Sequence, residues 1–303
     1  MGRTTMTSGN VSRSFLALFL ASTLLGAGGC AFNATDDTST VQDLLNHSLA
    51  DINAVKSMVE NGQLEAARDA LQQYRTHQPE NLEAAFLLGE VLLRLHDPAG
   101  ALGNYEAATA LAEKRAPALQ GAGIALLELG HSDEAATKLH EAATADASLW
   151  RAFNALGRIY DSQHDWANAE SAYHSAIAAS PKEAILFNNL GMSYLMQHRF
   201  DEAIAQFEQA ITLDPNLKVA TRNMRMAYAL QGKYVEALAG VPDKDMPDEL
   251  NNVGYAAMLR GEYDVARAYL SRAIEMSPAY HRQASANLEQ LEGLVSLAAA
   301  HTQ

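Results

Sequence analysis

Asparagine side chains recur at one spacing in the C-terminal half of the sequence. Asn189 and Asn223 are 34 residues apart, and Asn252 follows 29 residues later. A carboxamide is both a hydrogen-bond donor and an acceptor, so a row of them can pair with an extended peptide backbone without reading its sequence. Methionines beside the row offer soft, adaptable apolar contacts. The sequence predicts a concave peptide-binding groove lined by Asn154, Arg158, Asn188, Asn189, Met192, Arg222, Asn223, Met226, Asn252 and Tyr255.

The asparagine row has a second interpretation, in which the amides join packed helices instead of binding a ligand. Arg222 is the one strong base at a matching position near the row. A clamp for two carboxylates needs more basic groups than this, because each carboxylate is best held by its own charged donors. The row therefore predicts no full clamp, and both the groove and the packing role stay open at this point.

The sequence carries no pattern of a catalytic or metal site. It has ten histidines, and none has the spacing of a metal-ligand set. His96, His164 and His198 fall at matching points where other segments carry glycine, which indicates turns whose backbone geometry histidine tolerates. The G-x-x-x-x-G-K-[ST], G-x-S-x-G and H-E-x-x-H motifs are missing. We therefore expect no enzyme activity, no cofactor and no metal.

The sequence is acidic and contains one cysteine. Lys and Arg total 22 while Asp and Glu total 36, which gives a formal net charge of -14. This charge argues against nucleic acid and anionic lipid surfaces as partners, because both repel an acidic protein. A single cysteine excludes a disulfide within the chain. We therefore expect protein partners.

The N-terminus has the organisation of a secretory signal. Arg3 and Arg13 precede the apolar run FLALFLASTLL, and small residues then lead to Cys30, as in a signal peptide. Small residues directly before a cysteine resemble a bacterial lipobox, which implies that Cys30 is acylated, although Ala27 stands where leucine is usual. The alternative is an ordinary signal cleaved near Gly29, with Cys30 left as a free thiol.

The lipobox resemblance has consequences for location. It predicts a signal peptide at residues 1–29 and a short polar tether at 30–45, with the lipid as the only membrane attachment. Ala31 follows the cysteine, and in lipoproteins of this type that resembles sorting to the outer membrane. The expected location is the periplasmic face of the outer membrane of a Gram-negative bacterium.

Small and large residues recur every 34 residues in the rest of the sequence. Two neighbouring segments share an aromatic residue, a leucine, a glycine and a tyrosine in the same order: Phe153, Leu156, Gly157, Tyr160, and Phe187, Leu190, Gly191, Tyr194. Small residues let two helices approach closely, large apolar residues at the helical period fill the space between them, and a proline ends the second helix. The pattern resembles the tetratricopeptide repeat.

The repeat resemblance implies an all-α fold, a right-handed superhelical solenoid. About seven helix-turn-helix repeats would occupy residues 46–279, and a capping helix at 280–300 would cover the last apolar surface. Between Ala237 and Val253 the period is five residues short, which predicts a second helix of about half the usual length in the sixth repeat. The shortening is either a tolerated deletion or a notch where a partner inserts.

The C-terminal repeats resemble one family more specifically. The segment NNVGYAAMLRGEYDVARAYLSRAIEMSPAYHRQASANLEQL and the preceding RNMRMAYALQGKYVEAL are similar to the tight adherence (Flp-type) pilus assembly lipoproteins. The resemblance implies an outer-membrane lipoprotein that supports assembly of a pilus secretion machine, with a secretin or another pilus component as partner. The alternatives are a pilotin of a type IV pilus secretin and a periplasmic adaptor that recruits cell-wall enzymes.

Overall fold

The computed structural model describes residues 52–112, 115–277 and 282–300, with only the backbone at 298–300. These residues form fifteen α-helices and, within the described ranges, no β-strand. The predicted all-α class is therefore confirmed. The predicted signal peptide, the acylation site Cys30 and the tether lie outside the described residues.

The described residues divide into two compact units, one up to residue 182 and one from residue 183 onward, and each is described by itself. The helices of the N-terminal unit are α1 Ile52–Glu60, α2 Leu64–His77, α3 Leu82–Arg94, α4 Pro98–Ala108, α5 Arg115–Glu128, α6 Ser132–Ala145, α7 Trp150–Ser162 and α8 Trp166–Ala179. The helices of the C-terminal unit are α9 Ala184–Met196, α10 Phe200–Leu213, α11 Lys218–Gln231, α12 Tyr234–Leu238, α13 Met246–Leu259, α14 Tyr263–Met276 and α15 Arg282–Ala300.

The helices pack as seven antiparallel pairs followed by one further helix. Within a pair the first and second helices are in contact, and α15 packs against α13 and α14. The side chain of Leu291 on α15 is buried with that of Leu270 on α14, so this helix covers the apolar surface of the last pair. The predicted repeats and capping helix are confirmed, and the right-handed superhelical path stays a prediction.

A glycine on the first helix fixes how closely the second to fifth and the seventh pairs pack. A Cβ atom added to Gly157 would lie 2.7 Å from the Tyr173 ring, and one added to Gly191 would lie 2.7 Å from the Phe207 ring. Such distances are shorter than any van der Waals contact, so the large residue of the second helix needs the glycine opposite it. The same arrangement recurs at Gly89 with Tyr105, Gly123 with Leu139, and Gly254 with Leu270.

The turn inside each pair uses left-handed backbone. His96, His164 and His198 have φ angles of 60°, 58° and 59°, and they occupy the position where other pairs have glycine with positive φ. Such a residue reverses the chain at the end of the first helix. The interpretation of these three histidines as turn residues is confirmed.

Two tyrosines of the N-terminal unit reach through the helix pair to a carboxylate. The buried Tyr173 hydroxyl donates to Asp161 Oδ2 at 2.8 Å, and the buried Tyr105 hydroxyl donates to Glu90 Oε1 at 3.2 Å. Burial, followed by the nearby carboxylate, raises the pKa of both phenols. The two hydroxyls therefore stay protonated and donate hydrogen bonds within the packed helix pairs.

The sixth pair departs from the others in its second helix. The α12 helix has five residues, whereas α10 and α14 have 14 each, so it is shorter than the predicted half length. Gly240 follows with φ of 65°, and Pro242 both lacks an N–H and excludes helical backbone at the residue before it. These two residues prevent the helix from continuing, and the chain turns directly into α13.

Candidate protein-binding site

The first helices of the C-terminal unit lie side by side. Contacts join α9 to α11, α11 to α13 and α13 to α15, and we call each of these contacts a step. The helical period brings six predicted site residues to one side of α9, α11 and α13, which we call the first-helix face. Its residues are Asn189, Met192, Arg222, Met226, Asn252 and Tyr255.

The α9–α11 step is joined by two buried asparagines. Asn188 and Asn223 are 4% and 6% exposed. The Asn223 amide Nδ2 donates to Asn188 Oδ1 at 2.9 Å, and Asn188 Nδ2 donates to Asn189 Oδ1 at 3.2 Å. The packing role that the sequence left open describes this pair, because the two amides bond to one another across neighbouring helices.

The α13–α15 step has a joint of the same chemistry. Asn287 Nδ2 donates to Asn251 Oδ1 at 2.8 Å, and Asn251 is 4% exposed. We call the pairs Asn188–Asn223 and Asn251–Asn287 the amide joints. The sequence analysis missed Asn287, although one signal was available: the members of each joint are separated by nearly the same distance along the chain, 35 and 36 residues.

The α11–α13 step is joined by an ion pair instead. Arg225 Nη1 lies 3.6 Å from Glu249 Oε1, and the two side chains are only 17% and 13% exposed. Glu249 Oε2 also accepts a hydrogen bond from Asn252 Nδ2 at 3.3 Å. One carboxylate of α13 therefore holds both the neighbouring helix and the amide of the first-helix face.

Arg225 stands where the first helices of five other pairs carry glycine. A side chain there would collide with the large residue of a full-length second helix, as it would at Gly191 or Gly254. The α12 helix ends at Leu238, before the position that holds this large residue in the other repeats. The early end of α12 thus leaves space for Arg225, and the sequence signal that was missed is the loss of this glycine in the repeat with the shortened period.

The exposed groups of the α11–α13 step are basic, polar and apolar. Arg222 is exposed, and no hydrogen bond or ion pair reaches its guanidinium from the described residues. Met226 is half-buried against the cluster that contains Val253. Tyr255 is half-buried on α13, and burial raises the pKa of its hydroxyl. An exposed cation and partly buried apolar groups can together contact the charged and the apolar parts of a ligand.

The remaining predicted site residues are on α9 and α7. Met192 is half-buried on α9 of the C-terminal unit, as is Asn189. Asn154 and Arg158 belong to α7 of the N-terminal unit, where Asn154 is half-buried and Arg158 exposed. Asn154 and Asn189 also have interactions of their own within the structure. The peptide-binding role of all these residues stays a prediction.

Two kinds of feature do not occur in the described part of the chain. No group of three or more His, Cys, Asp or Glu side chains comes together there in a way that could hold a metal ion. None of the described helices is long and apolar enough to cross a membrane.

Comparison with known proteins gives one consistent family. Two models of the tetratricopeptide repeat match residues 53–118, 154–218 and 250–280, which together exceed half of the chain. No curated protein sequence matches significantly.

Solved structures agree with the repeat models. A tetratricopeptide repeat protein from Parabacteroides merdae is 17% identical with a TM-score of 0.54, over 84% of this chain and 99% of that one. The C-terminal part of a TPR repeat-containing protein from Cytophaga hutchinsonii is 15% identical with a TM-score of 0.56, over 78% and 99%. At these identities the likeness shows the fold alone.

Proposed function

The chain belongs to the tetratricopeptide repeat family, and from this we propose that it is a non-enzymatic scaffold that binds protein partners on its first-helix face. Stacked repeats of this kind create extended surfaces for protein binding. The observation that carries the proposal is the exposed, unpaired Arg222 beside the half-buried Met226 and Tyr255, in the part of the chain that the structure describes. A charged group with no internal partner can bind a ligand without first breaking an ion pair within the protein.

We further propose a specific setting for this scaffold. It is an outer-membrane lipoprotein, held at the periplasmic face by acylated Cys30, that supports assembly of a tight adherence (Flp) pilus secretion machine. Its partner is the secretin or another pilus component. The small residues before Cys30 and the similarity of residues 251–291 to the lipoproteins of that machine support this setting. The net charge of -14 favours protein over nucleic acid as partner.

Photo-crosslinking in cells tests the proposed function. With p-benzoyl-phenylalanine in place of Tyr255, irradiation is expected to couple the chain to one pilus component, identified by mass spectrometry. The control places the same group at Val235, which is 79% exposed on α12 and lies outside the first-helix face. If the groups at Tyr255 and Val235 capture the partner equally, the first-helix face is not the binding site. Capture of a peptidoglycan hydrolase would replace the pilus setting with recruitment of cell-wall enzymes.

Cys30→Ser is expected to release the protein from membranes. The substitution removes the thiol that would carry the acyl chains, and more than one chain is needed for stable anchoring. Fractionation without detergent, followed by immunoblotting, should move the protein from the membrane pellet to the soluble fraction. Ser22→Ala, within the apolar run of the signal, is a control that should leave the protein in the pellet. A Cys30→Ser protein that still sediments with membranes contradicts lipidation.

A further inference from the structure

We propose that the α11–α13 step is the ligand-binding step of the first-helix face. It takes an extended peptide segment of a partner protein that carries a carboxylate next to an apolar side chain. This inference rests on the proposed scaffold function and adds to it the position of the site and the chemistry of the segment.

The amide joints show what the outer two steps do. In each of them, a buried asparagine accepts a hydrogen bond from an asparagine of the neighbouring helix, at 2.9 Å for Asn188–Asn223 and 2.8 Å for Asn251–Asn287. A buried amide that gives up its partner loses a hydrogen bond and stays desolvated. The two joints are therefore committed to holding α9 to α11 and α13 to α15, and a ligand cannot use them without a cost.

The corresponding positions of the middle step are not joined. Arg222 stands where Asn188 and Asn251 stand in their helices, and Asn252 stands where Asn223 stands. The structure gives no bond between Arg222 and Asn252, and Asn252 Nδ2 turns back to Glu249 of its own helix. The mostly buried pair Arg225–Glu249 joins α11 to α13 in place of an amide joint. Arg222 and Asn252 are therefore not needed to hold α11 to α13.

The groups that remain define the chemistry of the ligand. The Arg222 guanidinium has five donors in a fork that matches a carboxylate, and within the described residues none of these donors is used. The Asn252 carboxamide oxygen is likewise without a donor among the described residues, and it can accept an N–H from an extended backbone. Met226 and Tyr255, one helical turn further along α11 and α13, can receive an apolar side chain.

Charge complementarity with Arg222 favours a ligand segment that carries a carboxylate. The chain as a whole carries -14, so an acidic segment is repelled over most of the surface and attracted where a cation is unpaired. Arg199, Arg260 and Arg267 of the same unit already have carboxylate partners. Arg222 has none in the described structure, and its position beside the open step directs an acidic side chain or a chain terminus to that point.

Peptide selection on the full chain tests the proposal. Random dodecapeptides displayed on phage are selected against the purified protein in detergent, and the most enriched peptide is synthesised with a fluorescent label. We expect Asp, Glu or a free C-terminus beside an apolar residue. Fluorescence anisotropy should show an affinity loss of about ten- to a hundredfold in Arg222→Ala, as for a lost charge-assisted hydrogen bond, and a smaller loss in Asn252→Ala.

Two controls separate binding from charge and from stability. Arg272→Ala removes an equal charge from an exposed position on α14, a second helix outside the first-helix face, and should change the affinity less than twofold. Asn287→Ala breaks the amide joint between α13 and α15, so it should lower the Tm while the folded protein keeps its affinity. Replacing the peptide carboxylate by an amide should weaken binding to the wild type and change nothing further in Arg222→Ala, as expected when two groups interact directly.

The outcomes distinguish this inference from the proposed function. Enriched peptides that lack a carboxylate, or that bind Arg222→Ala as tightly as the wild type, overturn the assignment of the α11–α13 step and leave a scaffold that binds elsewhere. Failure to enrich any peptide, together with no crosslink from Tyr255, overturns both proposals.

Discussion

Replacing Phe207 by alanine is expected to lower the free energy of unfolding of the C-terminal unit by about 3–5 kcal/mol. The Phe207 side chain is fully buried, and its ring lies over the bare backbone of Gly191. Removing the ring leaves a cavity. Gly191 has no side chain that could turn into it, and the helix backbones on either side cannot move closer without breaking their other contacts. The cost should therefore lie near the upper part of the usual range for such cavities.

Two further variants control the Phe207 prediction. Phe207→Leu should cost less than about 1.5 kcal/mol, because leucine already fills the corresponding place as Leu139 and Leu270 in other repeats. Glu208→Ala on the exposed side of α10 should change stability by less than about 0.5 kcal/mol. Because repeat arrays can unfold in parts, the measurement is native-state hydrogen exchange of the α9 and α10 amides, supported by urea midpoints. Equal protection in Phe207→Ala and Glu208→Ala would contradict the prediction.

The sequence was sufficient for the features that repeat. Glycine facing an aromatic residue or leucine at a constant spacing predicts the helix pairs, since each collision with an added Cβ is local to one pair. The turn histidines followed from the same register, because His164 and His198 occupy the position of a glycine. The sequence period predicts such features because the same residue types make the same helix contacts within each repeat.

The sequence was insufficient for features that depend on two neighbours at once. The repeat spacing predicts that Asn188 and Asn223 lie on first helices, but only the structure shows that their side chains form a hydrogen bond with each other. The same residue type at Asn252 turns to Glu249 instead, because Arg222 rather than asparagine stands at the preceding helix. Asparagines at the same repeat position therefore have different partners. A repeat pattern gives the residue type at each position but not the residue that it bonds to on the neighbouring helix.

Glu249→Ala is expected to cost about 1–3 kcal/mol, between the values for an exposed ion pair and for a fully buried pair that loses one partner. Arg225 would stay largely buried without a counter-charge, since its side chain is only 17% exposed in the pair. The sixth pair cannot compensate, because its second helix has five residues and covers little of α13. Loss of stability should therefore appear in α13, α14 and α15, as faster hydrogen exchange there than in α9 and α10.

An exposed ion pair of the same unit is the matched control for Glu249→Ala. Glu292 pairs with Arg267 at 2.7 Å, but the side chains are 50% and 38% exposed, so Glu292→Ala should cost less than about 1 kcal/mol. A double-mutant cycle of Arg225→Ala and Glu249→Ala should give a coupling energy well above that of Arg267→Ala and Glu292→Ala. If the two cycles agree, the shorter distance of the exposed pair outweighs burial, and the α11–α13 step is held by apolar contacts instead. A coupling confined to Arg225 and Glu249 would mean that the repeat with the shortened helix depends on this one pair.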